Sequence, residues 1–467
     1  MLFSSMTFLY YFLPIVILLY FIVPFRFKNF VLFCASLFFY FWGEPVYTVI
    51  MVFTALSGWL HGLLIDKFRG TKMSKVWVTS SIVVSLAVLG LFKYSDFFVE
   101  TWNGLFRTDV ALLKLALPIG ISFYTFQTLS YTIDLYRGNT AVQKNFLNFA
   151  TYVVLFPQLI AGPIVRYTDV DKALSDREHN FENFAYGVNR FVLGLSKKVL
   201  LANQFGELCE IFKATSEKSV VFYWVYALAY ALHIYFDFSG YSDMAIGLGR
   251  IFGFHFPENF NYPYISRSIT EFWRRWHMTL SSWFRDYVYI PLGGNRVSKL
   301  KWFRNILIVW ALTGMWHGAG WNFIGWGLFF AILLILEKAF LGEFLKKIPS
   351  VFSWLYTIVM VFISWILFDA ENIQVAFSRI AAMFGGGQIA VMNSVTGYYL
   401  SSYALLLVIG CFGATPLCKK LVNFLKEKEV VNGVMNVVEP LVQISLLLVV
   451  TAYLVDGSFN PFLYFRF

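Results

Sequence analysis

Two histidines stand in surroundings that could make them chemical rather than structural. His317 lies within Thr313-Gly-Met-Trp-His-Gly-Ala-Gly-Trp-Asn322, and His277 closes the run Phe272-Trp-Arg-Arg-Trp-His277. A neutral imidazole accepts a proton near physiological pH, so either residue could serve as a general base. Either could also be a packed side chain, His317 bonded to a neighbouring helix and His277 resting at an interface. His233 and Asp237 are four residues apart on a helix, and Asp243 follows. That set could carry protons, or His233 and Asp237 could satisfy one another in helix packing. A metal held by His233, His277 and His317 has no supporting ligand spacing, and none is expected.

The elements that must position these groups are apolar. Runs long enough to cross a bilayer recur near 7–25, 29–42, 46–64, 76–92, 115–136, 147–163, 188–205, 219–238, 305–337, 350–368, 398–417 and 434–455. A span needs about 20 apolar residues, so several of these are short or broken. The pattern predicts an all-α polytopic membrane protein of about 10–12 transmembrane helices with amphipathic or re-entrant additions. As one helix, 305–337 would run about 50 Å, well beyond one hydrocarbon core. Its Gly-rich centre predicts two half-helices meeting inside the protein. Broken backbone at membrane depth needs protein or a water-filled cavity around it, which makes His317 a functional candidate.

Between Arg267 and Arg304 the chain carries eight basic residues against Glu271 and Asp286. Phe272, Trp276, Leu280 and Trp283 recur at i, i+4, i+8 and i+11, which predicts one amphipathic helix lying at the interface or dipping into the protein. The turn Pro291-Leu-Gly-Gly-Asn-Arg296 ends it. Further basic clusters hold Lys338, Lys346 and Lys347, then Lys419, Lys420, Lys426 and Lys428. The charge rule makes all three clusters cytoplasmic. Arg26 and Lys28 follow the first apolar run, which predicts an outside N-terminus. No Lys or Arg precedes that run and no small-residue cleavage site follows it, so no cleaved signal peptide is expected.

Of 467 residues, 58% are hydrophobic, 20% aromatic and 14% charged. A soluble surface needs about a quarter charged residues, so a soluble enzyme, a disordered chain and a disulfide scaffold are excluded. The net charge of +10 belongs to membrane-flanking loops, and no basic stripe with stacking aromatics points to nucleic acid. Cys34, Cys209, Cys411 and Cys418 form no C-x-x-C pair and read as small buried hydrophobes. Walker A, H-E-x-x-H, G-x-S-x-G and EF-hand patterns are missing. Gly314 and Gly318 form a G-x-x-x-G that reads as helix packing. No repeat or linker divides the chain, so 1–467 reads as a single membrane domain.

One dense block of motifs runs Phe236-Asp-Phe-Ser-Gly-Tyr-Ser-Asp243, Glu258-Asn-Phe-Asn-Tyr-Pro-Tyr264, Phe272-Trp-Arg-Arg-Trp-His277, Thr279-Leu-Ser-Ser-Trp-Phe-Arg-Asp286, Tyr289-Ile-Pro-Leu-Gly-Gly-Asn-Arg296 and Thr313–Asn322. Upstream stand Leu117-Pro-Ile-Gly-Ile-Ser-Phe-Tyr124 and Gln158-Leu-Ile-Ala-Gly-Pro-Ile164, and Phe462-Leu-Tyr-Phe-Arg-Phe467 closes the chain. This arrangement resembles the membrane-bound O-acyltransferases, in particular the branch of the bacterial alginate O-acetyltransferase membrane subunits. Residues 117–337 carry most of the likeness. The resemblance implies helices around a central funnel in a bacterial plasma membrane. It implies a cytoplasmic thioester donor, acetyl-CoA or an acyl carrier, with no tightly bound cofactor. It further implies an extracytoplasmic hydrolase-like partner and a polysaccharide acceptor.

The family's signature histidine falls on His317 and its second polar residue on His277. Acyl transfer from a thioester needs a base for the incoming hydroxyl and a place for the oxyanion. His317 could be that base, and His277 or Asn261 could orient the substrate or donate a hydrogen bond. Arg274, Arg275 and Arg285 could hold a coenzyme's phosphates or an acidic carrier. Trp316 and Asn322 are further substrate-binding candidates. The sister D-alanyl transferases of teichoic acid modification are the alternative within the family. A transporter using His233, Asp237 and Asp243, or a scaffold for a surface-polymer complex, are alternatives outside it.

Overall fold

In the computed structural model residues 1–457 are described, and they form helices joined by turns and loops. The closing motif Phe462-Leu-Tyr-Phe-Arg-Phe467 lies outside the described residues. Seven helices among those described are long and apolar enough to cross a bilayer: Thr48–Lys67, Lys72–Lys93, Val220–Ile251, Trp321–Lys347, Ser350–Asp369, Ser394–Gly413 and Gly433–Val455. Shorter apolar helices cover Phe8–Ile22 and Ile373–Met383.

Several apolar runs fall short of a span for local reasons. The run at 115–136 becomes helical only at Ile121–Arg137, a 17-residue helix whose buried side chains include Ser122, Thr125, Gln127, Thr128, Ser130 and Thr132. The run at 147–163 is two short helices, Phe146–Val154 and Phe156–Leu159, parted at Leu155. The run at 188–205 joins Phe181–Ser196 to the π-turn Lys197–Ala202. Residues 305–337 break as expected, into Lys299–His317 and Trp321–Leu336 with Gly318 to Gly320 between them.

The chain divides into two compact units, Met1–Phe191 with Tyr241–Glu258, and Val192–Gly240 with Asn259 onward. In the first, the Ile121–Arg137 helix lies against Thr48–Lys67. A Cβ on Gly58 would sit 2.4 Å from Thr128 Cγ2. Arg190 grips the Glu258 carboxylate with both terminal nitrogens, at 3.0 and 2.6 Å, and donates Nε to Asp243 at 2.7 Å. The second unit is built round an aromatic core that includes Phe272, Trp273, Trp276, Trp326, Phe330, Trp365 and Phe368. A buried ion pair, Lys198 Nζ to Asp237 Oδ1 at 2.5 Å, lies within the same unit.

The single amphipathic helix expected to carry Phe272, Trp276, Leu280 and Trp283 is corrected. The chain makes two short helices, Ile269–Trp273 and Met278–Phe284, with a turn at 274–277. Phe272, Trp276, Leu280 and Trp283 are all buried, but not on one continuous helix face. The buried Glu337 carboxylate caps the first short helix, accepting from Ile269 N at 2.6 Å and Thr270 N at 2.9 Å. That charge-assisted cap anchors a helix too short to stand alone.

The cysteines are also corrected. Cys209 is buried, whereas Cys34, Cys411 and Cys418 are exposed. An apolar helix in a bilayer turns much of its surface to lipid, so an apolar neighbourhood in sequence does not mean an internal position.

The Lys299–His317 and Trp321–Leu336 helices pack backbone to backbone. A Cβ on Gly327 would lie 2.1 Å from Trp310 O, and one on Gly314 would lie 2.3 Å from Phe323 O. Gly314 thus takes the packing role expected of it. Gly327→Ala should force the two helices apart at a cost of about 1–3 kcal/mol. A thermal melt of the detergent-solubilised variant several degrees below wild type is the expected reading.

Candidate active site

The two histidines come together within the second unit. Trp316 stands between them, its ring centroid 5.7 Å from His277 and 4.9 Å from His317. His317 is the last residue of the Lys299–His317 helix. Its ring meets the edges and faces of Trp326 at 5.0 Å and Phe368 at 5.3 Å. Gly318 follows, where a Cβ would collide with the Phe323 ring at 2.2 Å. The break after His317 is therefore tight, and the imidazole is only 5% exposed.

His277 sits in the connection between two of the spanning helices. It caps Met278–Phe284 with a left-handed backbone, φ 42° and ψ 54°. That conformation is uncommon for a residue with a Cβ and recurs where function imposes it. Two backbone bonds pin the turn: Asn261 N to Arg275 O at 2.9 Å, and Met278 N to Asn259 O at 3.0 Å. The ring is fully buried, with Phe238 at 4.7 Å. Nδ1 lies 3.1 Å from Asn259 Oδ1. Burial, reinforced by the nearby His317, holds this imidazole well below the usual histidine range, in its neutral form.

The other expected residues fare differently. Trp316 is in the site and buried. Asn322 is buried and donates Nδ2 to Ala370 O at 3.0 Å, tying the Trp321–Leu336 helix to the end of Ser350–Asp369. Asn261 is exposed; its backbone, not its side chain, serves the site. Asn259, two residues before the expected Asn261, is the asparagine that touches His277. Arg275 pairs with Glu271 at 2.9 Å and donates to Asn261 O, and Arg285 pairs with Asp286 at 2.6 Å. Arg274 is exposed. Of the three arginines, two are thus already neutralised by adjacent carboxylates.

The relay of His233, Asp237 and Asp243 does not assemble. Asp237 pairs with Lys198 rather than His233, and Asp243 belongs to the Arg190–Glu258 cluster of the other unit. Neither ring nitrogen of His233 has a hydrogen-bond partner among the described residues. Among those residues no group of three His, Cys, Asp or Glu could hold a metal ion.

Two buried imidazoles around one indole can take a proton and exclude water, which suits transfer of a reactive acyl group. Residues 140–379, which contain both, match the model of the membrane-bound O-acyltransferase family. A probable alginate O-acetylase of Azotobacter vinelandii is 38% identical over all of both chains. The chain belongs to the membrane-bound O-acyltransferase family. A probable alginate O-acetylase of Pseudomonas aeruginosa is 42% identical over 88% of this chain and 81% of its own. A peptidoglycan O-acetyltransferase of Helicobacter pylori is 35% identical over 86% and 82%. The protein is accordingly a multi-pass bacterial membrane O-acyltransferase.

A neutral, buried His277 has a consequence for pH. Its protonation begins only well below the usual 6.5, so loss of its lone pair should not limit turnover at that value. Any acid limb that His277 contributes to the pH–rate profile for acyl transfer is expected below pH 6.5. An inflection at or above 6.5 that disappears in His277→Gln would contradict this.

Proposed function

We propose that this O-acyltransferase takes an acetyl group from a cytoplasmic thioester, acetyl-CoA or an acyl carrier protein, and passes it towards hydroxyls of an extracytoplasmic polysaccharide. An extracytoplasmic hydrolase-like partner completes delivery to the polymer. The observation that carries the reading is the pair of buried imidazoles flanking Trp316. The relatives, named for alginate and peptidoglycan acetylation, support a carbohydrate acceptor.

In this mechanism the hydroxyl oxygen attacks the thioester carbonyl as its proton passes to His317. The C–S bond then breaks, and the thiolate regains a proton from the imidazolium, so the base is restored. His277 holds the incoming group in register. Both rings are buried, so reactants reach them only as neighbouring aromatic side chains move aside. Arg274, exposed where Arg275 and Arg285 are already paired, is the arginine free to meet an anionic donor. The charge rule applied to Arg26 and Lys28 makes the first loop cytoplasmic and the N-terminus external.

Proteoliposomes given labelled acetyl-CoA and the partner test the reading. His317→Ala should abolish acetyl transfer with expression and insertion intact, and wild-type turnover in that variant would end the assignment. His277→Ala should lower the rate by about 100-fold or more, within the range that general acid–base groups contribute. Arg274→Glu should raise the apparent KM for the donor with little change in kcat. An unchanged KM would leave Arg274 as an interfacial anchor only.

A further inference from the structure

Asn259 Oδ1 receives three groups. The Thr279 backbone N–H donates to it at 3.3 Å, Thr279 Oγ1 at 2.8 Å, and His277 Nδ1 lies at 3.1 Å. A backbone N–H can only donate. That fixes the orientation of the Asn259 amide, with oxygen rather than nitrogen facing the turn. An amide oxygen can only accept, so His277 Nδ1 must carry the hydrogen. In a neutral imidazole the lone pair is then on Nε2. Nε2 is buried and has no hydrogen-bond partner among the described residues.

We propose that Asn259 is a positioning residue that locks His277 in the Nδ1–H tautomer, so that His277 meets the reactants at Nε2 as a hydrogen acceptor and not as a donor. This rests on the placement of His277 at the reacting centre proposed above. It narrows the role of His277, because the residue orients whatever lies between the two histidines by accepting a hydrogen. The same carbonyl that sets the tautomer also sets the ring's direction. The rings against His277 are Phe238 from the Val220–Ile251 helix and Trp316 from the Lys299–His317 helix. His317 is the titratable group whose charge reaches it. No carboxylate is among those influences, so a carboxylate introduced at 259 would act on His277 strongly.

Asn259→Asp and Asn259→Ala distinguish positioning from scaffolding. A carboxylate at 259 still accepts from Nδ1–H but favours the imidazolium. Protonation of Nε2 would then remove the acceptor at a higher pH. The acid limb of the Asn259→Asp pH–rate profile should move upward by one pH unit or more, with kcat above that limb within tenfold of wild type. Asn259→Ala should lose 10-fold or more in kcat with little change in donor KM. Nitrogen-15 NMR of histidine-labelled protein, assigned by subtraction of His277→Gln, should show the Nδ1–H form in wild type. This measurement stands even if Asn259→Ala does not fold. An unmoved acid limb in Asn259→Asp, or an Nε2–H signal from His277, would overturn the proposal. Full activity in His277→Ala would instead overturn the functional reading beneath it.

Discussion

A histidine whose ring is wholly buried and whose backbone is left-handed is held against two costs at once. The backbone conformation costs on the order of 1–3 kcal/mol, and a polar ring removed from water is costly unless its hydrogen bonds are met. Asn259 answers both at His277. Its side chain meets Nδ1, and its carbonyl accepts the Met278 N–H immediately after the strained residue. Much else in the second unit follows from that clamp. The strained residue is where the Ile269–Trp273 helix has ended and the Met278–Phe284 helix begins. Glu337 holds the far end of this segment by capping its first helix. Phe272 and Trp276, stacked 5.6 Å apart, join the turn to Trp365 and the aromatic core.

Sequence made parts of this legible and concealed others for identifiable reasons. Composition and apolar runs are bulk properties, so the all-α membrane class was readable. The break beside His317 was readable because glycines concentrate there and one helix would be too long for the bilayer. The helix periodicity of Phe272, Trp276, Leu280 and Trp283 misled, because the turn at 274–277 is imposed by pairing with residues 259–261. That pairing is a tertiary fact with no local signature. For the same reason nothing local in the sequence marks Asn259 as the side chain that meets His277. Two of the three arginines were expected to be free for phosphate, yet Arg275 and Arg285 are already paired with Glu271 and Asp286, their close neighbours in sequence. The Glu271–Arg275 pair, four residues apart, could have been weighed from spacing alone.

The buried charges elsewhere argue for architecture rather than transport. Lys198 and Asp237 are 2% and 1% exposed, and neutralise each other where either alone would be prohibitive. Arg190 spends its guanidinium on Asp243 and Glu258. Neither set includes His233, whose ring nitrogens have no hydrogen-bond partner among the described residues. The expected His233–Asp237 bond fails because Lys198 supplies a full charge to the carboxylate, a stronger partner than a neutral imidazole.

The two imidazoles also stand at opposite kinds of helix end. His317 terminates a 19-residue helix, where the last carbonyls and the aligned peptide dipoles favour an arriving positive charge. His277 precedes the first turn of Met278–Phe284, where the N–H groups oppose one. A helix of 7 residues contributes only weakly, but its effect has the same sign as burial and as the field of His317. The two histidines thus meet helix ends of opposite polarity. On this electrostatic ground His317, rather than His277, is the better placed to take the hydroxyl proton in the reaction proposed above. In that reaction His277, held neutral by burial, would keep its accepting nitrogen available. Were both rings at helix C-termini, each would compete for the same proton, and the charge on one would repel the charge on the other. The left-handed turn instead places His277 at the start of a helix.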